Sequence, residues 1–147
     1  MADPNAKLPT YVHLRPGQDP PTLAPQSYRI VIIVEASGSD DWRGDIAEWI
    51  WQIGSRYVVA WGQSCEAWHD SIDFANLAAF DFGDVPDENH IMTTWHSDEP
   101  LSEALWFAGV CAYHPDVQLG DTILLHIAEE DREGPILEAY SLAQISD

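Results

Sequence analysis

An α/β fold, a three-layer sandwich around a short, mainly parallel four-stranded sheet, is what this sequence predicts. Two observations carry that prediction. β-Branched runs of strand length alternate with longer stretches whose apolar residues recur at helical spacing, and the first run has no polar alternation, as in a strand covered on both faces. A third observation divides the chain. Six of the ten prolines precede residue 28, which marks residues 1–27 as an extended N-terminal arm and residues 28–147 as a single domain.

The arm carries Pro4, Pro9, Pro16, Pro20, Pro21 and Pro25, and Tyr11-Val12-His13-Leu14 is the place where it can be pinned. The domain opens with the strand Arg29-Ile30-Val31-Ile32-Ile33-Val34. Ser39 then offers a helix cap, and Trp42, Ile46, Trp49, Ile50 and Ile53 follow at helical spacing, with Gly54 as the stop. Tyr57-Val58-Val59-Ala60-Trp61 repeats the strand signal. Ser64 caps a second helix with the stripe Trp68, Ile72, Ala75 and Ala79. After an acidic loop, His90-Ile91-Met92-Thr93-Thr94-Trp95 reads as a third strand. Pro100 opens a helix over residues 101–112 with the stripe Leu101, Leu105, Ala108 and Ala112. Trp106, Phe107, Val110 and Cys111 leave that helix apolar nearly all round, so it is expected to be deeply buried or to form a homo-oligomer interface, with Pro115 ending it. Asp121 to Ile127 is the fourth strand, and a closing helix begins at Gly134-Pro135. The alternation predicts crossover connections and a strand order such as 2-1-3-4, in the manner of a minimal Rossmann-like or flavodoxin-like sheet.

Charge excludes several kinds of partner. The chain carries 25 Asp and Glu against 6 Lys and Arg, a formal charge of −19. Such a field repels nucleic acid and anionic membranes and attracts a basic protein. No run approaches the roughly eighteen apolar residues of a membrane span, and the amino terminus lacks a signal-type apolar stretch. Two cysteines, without a CxxC spacing, make neither a disulfide framework nor a zinc cage. A cytoplasmic protein is expected. The loop Ser37-Gly38-Ser39 lacks the glycine spacings of a phosphate cradle, so no cofactor is expected. Acids at strand ends can hold magnesium, which leaves a metal-bridged nucleotide as an alternative, but no metal site is expected.

Ligands of open α/β sheets gather beyond the carboxyl ends of the strands. There the sequence offers Glu35 after the first strand, Trp61 after the second, and Trp95, His96, Asp98 and Glu99 after the third. Cys65, His69 and Asp73 stand four residues apart, so one helix face would stack them. Cys65 in the first turn, His69 or His96 as base, and Asp70 or Asp73 as orienter would make a nucleophilic site. Against that, acids crowd the thiol, and the outer pair of a Cys65-His69-Asp73 row lies about 12 Å apart, too far to share a metal ion. Trp61 and Trp95 are the aromatics best placed for a binding surface.

The segments Trp61-Gly62-Gln63-Ser64-Cys65-Glu66-Ala67-Trp68-His69-Asp70-Ser71, Met92-Thr93-Thr94-Trp95-His96 and Leu101-Ser102-Glu103-Ala104-Leu105-Trp106-Phe107-Ala108 resemble a small bacterial family of unknown function, over about residues 28–140. The resemblance implies that these segments form a family core, and it implies no activity. In size and charge the chain also resembles toxin-immunity proteins and inhibitors of bacterial defence. The expected function is an acidic interaction module that binds a basic protein such as a nuclease, rather than an enzyme. The alternatives are a small enzyme using Cys65, His69 and His96, and an oligomeric accessory or ligand-binding module.

Overall fold

The computed structural model describes residues 8–145. Residues 1–7, which include the amino terminus considered for a signal segment, and residues 146 and 147 lie outside the described residues. The elements are β1 (Thr10–Leu14), β2 (Arg29–Val34), α1 (Asp40–Gln52), β3 (Tyr57–Gly62), α2 (Cys65–Ala78), β4 (Met92–His96), α3 (Leu101–Val110), β5 (Thr122–Ile127) and α4 (Glu133–Gln144). All neighbouring strands are parallel, in the order β1-β5-β2-β3-β4.

This corrects the expected sheet in two respects. It has five strands, because Thr10–Leu14 leaves the arm and pairs along β5. Its short alternation, with Val12 and Leu14 buried and Tyr11 and His13 half-buried, is that of an edge strand, and the surrounding prolines obscure it. The order 2-1-3-4 is also replaced. The chain steps outward from β2 to β3 to β4, and β5 then returns to the other side of β2. The interior strands are all equally apolar, so periodicity carries no information about their order.

Strand alternation divides the core. Ile30, Ile32, Val58, Ala60, Ile123 and Leu125 face α1 and α2. Val31, Ile33, Val59 and Leu124 face the layer that contains α3 and α4. The proline-rich stretch between β1 and β2 is bound to α1: the buried Trp42 and Trp49 donate their indole N–H groups to the carbonyls of Gln18 (2.9 Å) and Pro21 (3.0 Å). Two large aromatics are thereby buried without an unpaired donor.

The expected helix signals are met unevenly. Ser39 caps α1 by accepting from the Trp42 N–H at 3.1 Å, and Gly54, with φ +95°, follows its carboxyl end. Ser64 occupies the cap position of α2 but makes no side-chain cap bond. α3 ends at Val110, well before Pro115. The reason lies in Arg29, which takes the Ala112 carbonyl with Nε at 3.2 Å and Nη2 at 2.7 Å and so fixes the chain in its departure from the helix. Ala104, Leu105 and Ala108 of α3 are buried within the chain, while Trp106 and Phe107 are half-buried and Val110 is exposed. None of the helices among the described residues is long and apolar enough to cross a membrane.

Candidate functional site

The order of strands reverses between β2 and β5, and a cleft of about 350 Å³ opens there, lined by Glu35, Ala128, Glu129, Glu130 and Arg132. Beneath it lies His126, fully buried in the apolar run of β5. Its Nδ1 is 2.7 Å from the Tyr11 hydroxyl and its Nε2 is 2.5 Å from Glu35 Oε1. The Tyr11 oxygen accepts the Arg132 N–H at 3.0 Å. One arrangement satisfies every group: Tyr11 donates to Nδ1, and His126 donates its Nε2 proton to the carboxylate. The chain Tyr11–His126–Glu35 thus ties β1 to the carboxyl ends of β5 and β2.

β1 extends this clasp along one face. His13 Nε2 donates to the Ala128 carbonyl at 2.7 Å, and Arg15 Nε donates to the Glu129 carbonyl at 3.0 Å. Tyr11, His13 and Arg15 lie two residues apart, so the strand period aims all three the same way. Together they hold the loop from Ala128 to Arg132, and with it the exposed acids Glu129, Glu130 and Asp131.

The expected site residues separate into four places. Glu35 belongs to the cleft just described. Cys65 opens α2, but its side chain is buried among the apolar residues of the α1–α2 layer, with 3% exposure. That burial leaves little of the residue open to an incoming electrophile. His69 meets Asp70 (3.0 Å), Asp73 (3.5 Å) and the ring of Trp95, with centroids 4.5 Å apart, all on the α2 face. His96 lies on the opposite face, against Phe107, with Glu99 Oε2 at 2.7 Å and Thr94 Oγ1 at 3.0 Å. Trp61 joins that group by donating its indole N–H to the Glu99 carbonyl at 2.7 Å. Asp98 is exposed in the intervening turn with φ +61°. The structure therefore brings together His69, Asp70 and Trp95, and separately Trp61, His96 and Glu99. It does not bring Cys65 and His96 together, because consecutive residues of β4 point to opposite faces of the sheet.

Tyr11, His126 and Arg132 are not among the expected site residues. The available signal is a histidine inside the run Ile123-Leu124-Leu125-His126-Ile127, since a buried polar group requires a partner. Among the described residues, no three His, Cys, Asp or Glu side chains are grouped so as to hold a metal ion.

Residues 9–143 match the family described as a domain of unknown function (DUF7684). The chain belongs to that family. No curated protein and no solved structure matches it. The match starts ahead of β1, so the DUF7684 domain takes in the N-terminal strand as well as the segments after residue 28 that carried the resemblance.

Three tyrosines give this DUF7684 domain an alkaline limit. Burial raises the Tyr11 hydroxyl pKa above its ordinary value. The Arg132 N–H bond opposes that shift, and Asp131, Glu133 and Glu35 add to it. Tyr57 and Tyr140 are also raised, chiefly by burial, with Arg29 opposing. A phenol whose folded pKa exceeds its unfolded value adds stability that is complete below about pH 10 and is lost as pH climbs through the folded value. The urea midpoint is therefore expected to fall above about pH 10, and a Tyr57→Phe/Tyr140→Phe variant is expected to fall less steeply. A midpoint that stays level to about pH 11 would contradict this.

Proposed function

We propose that the chain is an acidic protein-interaction module that binds a basic protein partner, as an immunity or inhibitor protein binds a nuclease. The observation that carries the reading is how the charges are used. Every described Asp and Glu except Asp73 and Asp121 is exposed. The arginines, by contrast, are occupied largely with the protein's own backbone. Arg15 holds the Glu129 carbonyl, Arg29 that of Ala112, and Arg56 those of Gly54, Ser55 and Glu88. Arg43 bonds Ser71 and pairs with Asp40. These four arginines thus brace the fold and leave most of the acidic surface facing solvent.

A field of that sign speeds encounter with a cationic surface, and salt screens it. The clasp from β1 adds a second advantage. A loop already held by Tyr11, His13 and Arg15 loses less freedom on binding than a mobile one.

The test is recovery of tagged protein from its own host at about 50 mM and about 300 mM salt. A stoichiometric basic partner is expected at the lower salt and should be depleted at the higher. Glu129→Lys/Glu130→Lys should slow association with that partner far more than it speeds dissociation. Recovery of no basic partner at low salt would refute the reading.

A further inference from the structure

We propose that the groove between α1 and α2 anchors an amphipathic helix of the basic partner, an inference that rests on the acidic-module reading above. The groove encloses about 500 Å³. Trp51 of α1 and Phe74, Ala75 and Ala78 of α2 form its apolar lining, and Asp45 and Glu48 stand on the α1 side. The short alanine side chains leave depth between two larger aromatic walls.

The Phe74 wall faces water, while Trp51 is half-buried. Phe74 is 63% exposed, and it meets Phe82, itself 58% exposed, edge to face with centroids 5.2 Å apart. The turn after α2 sets Phe82 there: its N–H bonds the Leu77 carbonyl, and its backbone takes φ +60°, unusual for a residue with a side chain. Phe80, two residues earlier, packs against Trp51 with centroids 5.5 Å apart and an edge-to-face geometry. Paired exposed aromatics beside an open hollow are the kind of apolar surface that marks an interaction site.

The charge around the groove selects the occupant. Asp45 and Glu48 flank it, and Asp81 and Asp84 bracket Phe82 in the chain. Arg43 and Arg56 reach the lining residues Ser71 and Trp51, but Arg43 is paired with Asp40 and Arg56 is bonded to backbone carbonyls. A helix with apolar residues at i, i+3, i+4 and i+7 and flanking Lys or Arg would fill the hollow and meet those acids. A second copy of this chain does not fit, since it would bring a charge of −19 against its own likeness. The acidic surface would steer the encounter, and the groove would provide the desolvated anchor that sets residence time.

The probe is a fluorescein-labelled Lys/Leu peptide of about 18 residues with leucines at helical spacing, and its scrambled isomer of identical charge. Anisotropy titration of the full chain at about 150 mM salt should give at least about tenfold tighter binding for the amphipathic isomer. Phe74→Glu/Ala78→Glu changes two exposed positions and adds negative charge, so charge alone predicts equal or tighter binding. The groove predicts about tenfold weaker binding of the amphipathic peptide and no loss for the scrambled one. Equal binding of both isomers, or an unweakened variant, would overturn the groove and leave the acidic-module reading standing. Failure of either peptide to bind even at about 50 mM salt would overturn both. Sedimentation showing a dimer that Phe74→Glu abolishes would also overturn the proposal, by making a second copy the occupant.

Discussion

Gly62→Ala is expected to lower folding stability by about 3 kcal/mol or more, combining left-handed backbone strain with overpacking. Gly62 closes β3 with φ +99°, and an added Cβ would overlap the Val34 carbonyl oxygen and stand 3.1 Å from its carbon. The obstacle is backbone, so no side chain can turn aside. Nor can Val34 retreat, because β2 is held between β3 and β5, and the same carbonyl accepts the Gln63 N–H at 2.9 Å. Urea unfolding should show a lower midpoint at an unchanged slope. Gly44→Ala is the control. Gly44 lies in α1 with open space where the added methyl would sit, and the substitution should gain about 0.5–1 kcal/mol from helix propensity. A Gly62→Ala protein within about 0.5 kcal/mol of the parent would contradict the geometry.

His126→Ala is expected to cost about 3 kcal/mol, part from the cavity in β5 and part from the two bonds lost to Tyr11 and Glu35. Tyr11→Phe should cost about 1–2 kcal/mol, because it leaves a buried ring nitrogen without its donor. If the three residues act as one chain, the double variant will fall short of the sum by about 1 kcal/mol. A local measurement separates this from general loosening. The Arg132 amide, bonded to the Tyr11 hydroxyl, should exchange its hydrogen faster in Tyr11→Phe, while amides of β3 keep their protection. Strict additivity, with Arg132 exchange unchanged, would remove the clasp from the account of how the acidic loop is held.

How far the site is legible in the sequence follows from what each residue depends on. Glu35, Trp61, Glu99 and Trp95 are visible because each lies at or just beyond a strand end, and a parallel sheet aligns such ends on one rim. The Cys65–His69 spacing is visible too, yet its meaning is not. Helical periodicity places two side chains on one face without saying whether that face meets solvent, and here Cys65 turns into the core. Tyr11 pairs with a histidine 115 positions away, and no local pattern encodes that partnership. The groove is hidden for a related reason. Ala75 and Ala79 have the spacing of an ordinary packing stripe, and only the neighbouring α1 shows that a hollow remains beside them.

What the sequence by itself determined is local and additive: the charge, the alternation of strand and helix, the Ser39 cap, the Gly54 stop, and the double-sided burial of β2. Each of these follows from the period of the backbone or the chemistry of one side chain. The tertiary structure alone decided the order β1-β5-β2-β3-β4, the recruitment of Thr10–Leu14 as a fifth strand, and the meeting of Tyr11, His126 and Glu35. Those depend on which apolar faces close against which. Several strand orders bury the same residues, so the choice rests on long-range packing that periodicity does not record.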